Sequence, residues 1–163
     1  MKRIVLAAAA AVALMAPLPA GAAEGIISYK SLAPDVAFDL ARATLNQCRK
    51  DGYQVAVVVV DRFGIPLVVL RDRFAGTLAL RVAEGKAYTA ATFSRDTSAL
   101  IKDGVISPSL ALQPKVTPQV GGLVIEAGGS VLGGVGVSGG PGGDKDEACA
   151  KAGLAAVQDK LEF

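Results

Sequence analysis

Few residue types in this 163-residue chain are equipped for chemistry, and what is missing narrows the field further. There is no histidine, and both methionines, Met1 and Met15, stand at the extreme N-terminus. Histidine-based triads, ordinary zinc sites and His- or Met-ligated haem are therefore excluded from the rest of the chain. The most conspicuous stretch is Gly134-Val135-Gly136-Val137-Ser138-Gly139, which spells G-x-G-x-x-G. A dinucleotide fingerprint needs that pattern in the opening turn of a β-α-β unit, with an acid on the next strand about 20 residues later. Here only 24 residues follow Gly139, all of them taken up by a helix. Asp144, Asp146 and Glu147 suit the start of that helix but repel a phosphate. No G-K-[S/T] follows either, so the loop carries no nucleotide. The glycines read instead as thinning a strand at Gly133, Gly134 and Gly136, where another backbone, a helix or a flat ligand lies against it. Gly139 to Gly143 then supply the turn.

Two cysteines, Cys48 and Cys149, sit on apolar helix faces. In an exported chain the even number permits a disulfide closing a loop of about 100 residues. The other reading is two buried thiols packing as small hydrophobes. Catalytic thiol chemistry lacks an activating histidine. In "EGKAYTAATF", Lys86 projects from a mostly apolar helix beside Gly85, either as a surface charge or to meet an anionic ligand group. Tyr29, Tyr53 and Tyr88 are the only tyrosines, and tyrosine is a legitimate haem-iron ligand. In a helix, though, a tyrosine more commonly packs in a core or interface.

The elements that must position these residues follow from periodicity. Ala37, Leu40, Ala41, Thr44, Leu45 and Cys48 recur at helical spacing within a helix over Pro34 to Lys50, stopped by Asp51-Gly52. Gln54 to Val60 is a β-branched run that reads as a buried central strand. Asp61-Arg62-Phe63-Gly64 turns it into a second strand over Ile65 to Leu70, whose Pro66 belongs at a sheet edge. Thr77 to Phe93 is a second helix, with Leu78, Val82, Ala83 and Ala90 available for packing and Gly85 allowing a close approach. Asp96 or Thr97 caps a short helix through Lys102. Residues 104–120, with Pro108, Pro114 and Pro118, are mostly irregular. Gly122 to Glu126 and Val131 to Val137 form another hairpin. The last helix is expected over Lys145 to Leu161, with Asp144 as N-cap and Glu147 completing a capping box. Cys149 shares a face there with Ala152, Gly153 and Ala156. Hairpin-linked strands with helices grouped outside them make an α+β antiparallel sheet in a single domain.

The N-terminus reads as a secretory signal peptide over residues 1–22. Lys2 and Arg3 precede an apolar run from Ile4 to Met15, and Ala20-Gly21-Ala22 offers an A-x-A cleavage site, with Ala23 nearly as good. No later segment reaches the ~18 consecutive apolar residues of a membrane span. Without Lys2 and Arg3, the 17 basic residues fall level with the 15 acidic ones. A near-neutral mature domain over residues 23–163 gives nucleic acid no electrostatic foothold. The expected location is periplasmic or secreted.

Taken together, "GYQVAVVVVDRFGIPLVVLRD", "KAYTAATF" and "GGLVIEAGGSVLGGVGVSGGPGGDKDEACAKAGL" resemble the GlcG/HbpS-like haem-binding family. That family also includes the C-terminal domain of some PduO-type corrinoid adenosyltransferases. The resemblance spans roughly Leu40 to Leu161. It implies a profilin- or PAS-like antiparallel sheet flanked by helices, a homo-oligomer, and binding of haem or a related tetrapyrrole, in haem handling or redox stress. It places the ligand region at the helix carrying Lys86 and at Gly121-Gly122. Tyr88, Ser138 and Gly139 are added as candidate ligand residues from the reading of the residues themselves, with Tyr88 the candidate haem-iron ligand by its residue type. Two departures stand out. Val124 occupies a position where relatives commonly carry proline, and Ala75-Gly76-Thr77-Leu78 lacks the histidine found before the helix-opening threonine in many exported relatives. The association of some members with glycolate metabolism suggests an alternative, an enzyme or accessory protein acting on a 2-hydroxy or 2-oxo acid. A third possibility is a structural oligomeric module.

Overall fold

The computed structural model describes residues 25–162; the expected signal peptide and both cleavage points, after Ala22 and Ala23, lie outside them. The chain runs α1 (Pro34–Lys50), β1 (Ala56–Asp61), β2 (Pro66–Arg71), α2 (Thr77–Phe93), α3 (Thr97–Lys102), α4 (Pro108–Ala111), β3 (Gly122–Ala127), β4 (Ser130–Ser138) and α5 (Gly143–Ala155). A 3₁₀ turn, Gln158–Lys160, follows. The strands form one antiparallel sheet in the order β2-β1-β4-β3, so two hairpins lie side by side with β1 and β4 central. Helices α1 and α5 cover one face, and α2 covers the other. This is the expected α+β architecture.

Period-two alternation decides which residues meet which layer. Val55, Val57 and Val59 face α1 and α5, while Ala56, Val58 and Val60 face α2. On β4, Val135 and Val137 join the first core, and Gly134 and Gly136 lie beneath α2. A β-carbon on Gly136 would overlap the Ala83 carbonyl oxygen and stand 2.6 Å from Ala87 N. One on Gly134 would overlap the Ala87 carbonyl oxygen. What lies against the glycine-thinned strand is therefore α2 itself, seated through Ala83, Ala87 and Ala91. Pro66 opens edge strand β2, where a missing N–H breaks no ladder on the open side, and the register shifts beside it at Val59/Val60.

Cys48 and Cys149 are bonded to each other and fully buried, with Cα atoms 5.4 Å apart, joining α1 to α5. One turn beyond, Gly153 lets Thr44 of α1 approach so closely that a β-carbon there would overlap its Oγ1. Ala156, expected on this face, is exposed as the C-cap of α5.

Four local expectations are corrected. The capping box at Asp144 and Glu147 does not form. The N-cap is Gly142, Asp144 lies in the first turn, and Glu147 Oε1 pairs with Lys151 one turn on. Helix α5 ends at Ala155 rather than Leu161, because Val157 and Leu161 turn inward to the core through the 3₁₀ segment. Asp96 is the N-cap residue of α3, but its Oδ1 accepts from Val124 N (3.0 Å), not from the helix. Leu78, counted among the packing residues of α2, is 70% exposed, whereas Ala83 and Ala90 are fully buried.

Candidate functional site

Lys86 fixes the geometry of the place where most of the expected ligand residues converge. Its helical neighbours three and four positions away are Val82, Ala83, Thr89 and Ala90, so α2 offers it no acid on its own face. The residue is nonetheless 2% exposed. A buried ammonium is tolerated only when paired and hydrogen-bonded. Lys86 Nζ meets both conditions, donating to the Val137 carbonyl oxygen (2.8 Å) and to Asp146 Oδ2 (2.9 Å). The other Asp146 oxygen accepts from Gly140 N (2.9 Å), so one carboxylate ties α5 to α2 and to the loop after β4. Gly121 makes room for this cluster: it has φ 119°, and a β-carbon on it would stand 2.9 Å from Lys86 Nζ. Gly122 lies under the Lys86 carbonyl, with its own N–H donated to Thr97 Oγ1 (3.0 Å).

Above the pair opens a groove of about 670 Å³. Leu78, Ala79 and Val82 of α2 form one wall and Val120 the opposite one. Its floor is mostly backbone, Ser138 to Gly140 and Gly142-Gly143, with the buried ion pair at its base. Its lining combines apolar side chains, Gln119 and exposed backbone over a charge-compensated ion pair. It suits a flat, largely apolar molecule better than a strongly charged one.

Of the expected site residues, Lys86, Ser138 and Gly139 line this groove. Gly121 and Gly122 stand behind it, shaping the Lys86 pocket. Tyr88 is not brought in. Two positions along a helix is a rotation of about 200°, and its ring lies over Gly64, whose β-carbon would be 2.5 Å from Tyr88 Cδ2. The Lys115 ammonium is 6.0 Å from the Tyr88 ring centroid. Tyr29 packs edge-on to Phe63, and Tyr53 packs against the α1/α5 core. Sequence reasoning overlooked Asp146 as the partner of Lys86, and Val120 as a wall. A lone lysine on an apolar helix signals that a distant acid must exist, but a separation of 60 positions hides which one. Among the described residues, no three histidine, cysteine, aspartate or glutamate side chains gather as a metal cluster. No helix of the described residues is long and apolar enough to cross a membrane.

Comparison with known proteins agrees with this fold. The chain superposes on HbpS of Streptomyces reticuli, crystallised as a double mutant, with a TM-score of 0.79 and 37% identity over 87% of this chain and 97% of that one. A second HbpS structure gives 0.79 and 38% identity over 85% and 98%. PduOC, crystallised as a haem complex, gives 0.70 and 29% over 78% and 95%. No curated protein sequence matches at comparable significance. The profile of the family described as "Haem degrading protein HbpS-like" matches residues 32–155, from the residue before α1's lead-in to the end of α5. The chain belongs to the HbpS-like family.

Proposed function

We propose that this chain is an exported, non-enzymatic binding protein for haem or a related tetrapyrrole, acting as a homo-oligomer in the periplasm or outside the cell in haem handling or redox stress. The observation that carries the reading is the α2 groove, in a chain 29% identical to a protein crystallised with haem. The groove fits a tetrapyrrole in one sense only. Its apolar walls and backbone floor suit the faces of a planar macrocycle. It offers no histidine, tyrosine or free cysteine to an iron, and the Lys86 ammonium is committed to Asp146 and Val137. Haem would supply a redox-active iron there, while the protein's own residues hold the ring by its faces and exclude water from it.

Titration of the mature protein, beginning at Ala23, with haemin tests this. A saturable shift of the Soret band at micromolar protein is expected, and its absence overturns the reading. Tyr88 lies off the groove, so iron ligation by it would require the macrocycle to sit outside the groove, over the Gly64 side of α2. A tyrosinate-type spectrum abolished in Tyr88→Phe would assign iron to it, and an unchanged spectrum would remove it. The family's description names haem degradation, which favours a second reading in which the same groove presents haem for breakdown. Progressive loss of the Soret band under a reductant and dioxygen, faster than for haemin alone, would select it.

A further inference from the structure

A second groove, of about 420 Å³, opens on the other side of the same helix turn. It shares Leu78 and Val82 with the first, so these two residues form a ridge between the grooves. The charges on the two sides differ. In the first, Lys86 and Asp146 neutralise each other. The second carries Arg81, which has no ion-pair partner among the described residues, and Lys115, whose ammonium is 3.3 Å from Glu84. The second side therefore keeps a net positive charge, beside an apolar ridge.

Lys115 is also held in a conformation that its side chain does not favour, with φ at 67°. Its neighbours hold it there. Thr117 N donates to Thr89 Oγ1 (2.8 Å), which in turn donates to the Gly85 carbonyl oxygen (2.7 Å). Gly85 lets this segment press against α2, with the Lys115 carbonyl oxygen 3.1 Å from where a β-carbon would stand. Glycine would occupy this left-handed position without strain. A lysine there lines the same groove as Arg81, and among the described residues Glu84 is the one carboxylate lining it to offset the two cations.

We propose that Arg81 and Lys115 form the anionic-group subsite of the ligand groove. They hold the carboxylate edge of a planar, otherwise apolar molecule that crosses the Leu78–Val82 ridge into the backbone-floored groove. The inference rests on the tetrapyrrole reading and names the chemical class within it, a macrocycle bearing carboxylates along one edge. Arginine is the side chain suited to this, since its planar fork matches a carboxylate.

The test compares protoporphyrin IX with its dimethyl ester, by absorbance titration of the mature protein in the same detergent-containing buffer. Wild type is expected to bind the diacid at least tenfold more tightly than the diester. Arg81→Gln with Lys115→Gly is expected to remove that preference while leaving diester binding unchanged. Lys115→Gly relieves a left-handed lysine, so its melting temperature should equal or exceed that of wild type, separating lost binding from lost folding. Lys50→Gln, an exposed cation at the far end of α1, should keep the preference. Equal binding of diacid and diester by wild type, or a preference retained in the double variant, overturns the subsite and leaves the tetrapyrrole reading standing. Binding of neither porphyrin overturns both.

Discussion

Lys86 and Asp146 are each almost wholly out of water, with side chains 3% and 5% exposed, and each compensates the other's charge. Removing one partner of such a pair costs about 3–5 kcal/mol, because the remaining charge is stranded. Lys86→Met should therefore destabilise the protein by that order in urea unfolding. Lys86→Met combined with Asp146→Leu should recover much of the loss, since an apolar pair of similar volume avoids desolvating two charges. Recovery stays incomplete because Gly140 N then loses its acceptor. The pair also marks the limit of what single residues disclose. Lys86 read from the sequence as a surface charge or a contact for an anionic group, and its burial was not visible; Gly134 and Gly136 did read as glycines placed to admit a neighbour. Their spacing along the chain did not disclose that the neighbour is α2, or that the acid is Asp146. Those are facts of tertiary contact.

Elements were more legible than contacts. The spans Pro34–Lys50 and Thr77–Phe93 follow from apolar periodicity and the breakers that bound it, and β1 from its unbroken valines. The end of α5 was not, because Val157 and Leu161 keep helical spacing while the chain has already tightened to reach the core. The bond between Cys48 and Cys149 ties the two helices of one layer across a separation of 101 residues. In the chain-entropy account a loop of that size is worth up to about 4.7 kcal/mol. Cys48→Ala with Cys149→Ala should lower the urea midpoint accordingly, and intact protein should show no thiol reactive to alkylation until it is reduced. The far end of the same layer is held differently, by Lys160 on the 3₁₀ turn and Asp39 on α1 (2.7 Å). The hydrogen bond and charge of Lys160 hold the Asp39 carboxyl below its usual value, and Asp39 raises the Lys160 amine above its own. The depressed carboxyl stabilises the docked turn above its unfolded value and loses that effect as pH falls through the folded one; the raised amine loses it as pH climbs through the alkaline end. Both ends of the range should release the turn. Amide exchange at Lys160 and Leu161 should show that protection is greatest between these limits and weakened by salt.

At the scale of the whole molecule, the described surface is uneven. Phe63 and Ile65 are each 58% exposed on the β1–β2 turn, and Val69 is 48% exposed along the open edge of β2. An apolar sheet edge left unpaired invites another chain. Size-exclusion chromatography with light scattering should find the mature protein as a defined oligomer, and Ile65→Lys should shift it towards monomer. A strictly monomeric wild type would remove the oligomer from the proposed function. The sheet beneath that edge has one further consequence. Because α2 rests on bare β4 backbone at Gly134 and Gly136, no β4 side chain separates helix from strand there, and Ala56, Val58 and Val60 of β1 pack against the helix alongside. Helix and strand must fluctuate as one rigid body. A guest pressing on the Leu78–Val82 ridge then has little to push except the flanking segments 114–121 and 138–143. Whatever the protein reports to its surroundings on capturing a guest, it must report through those two loops.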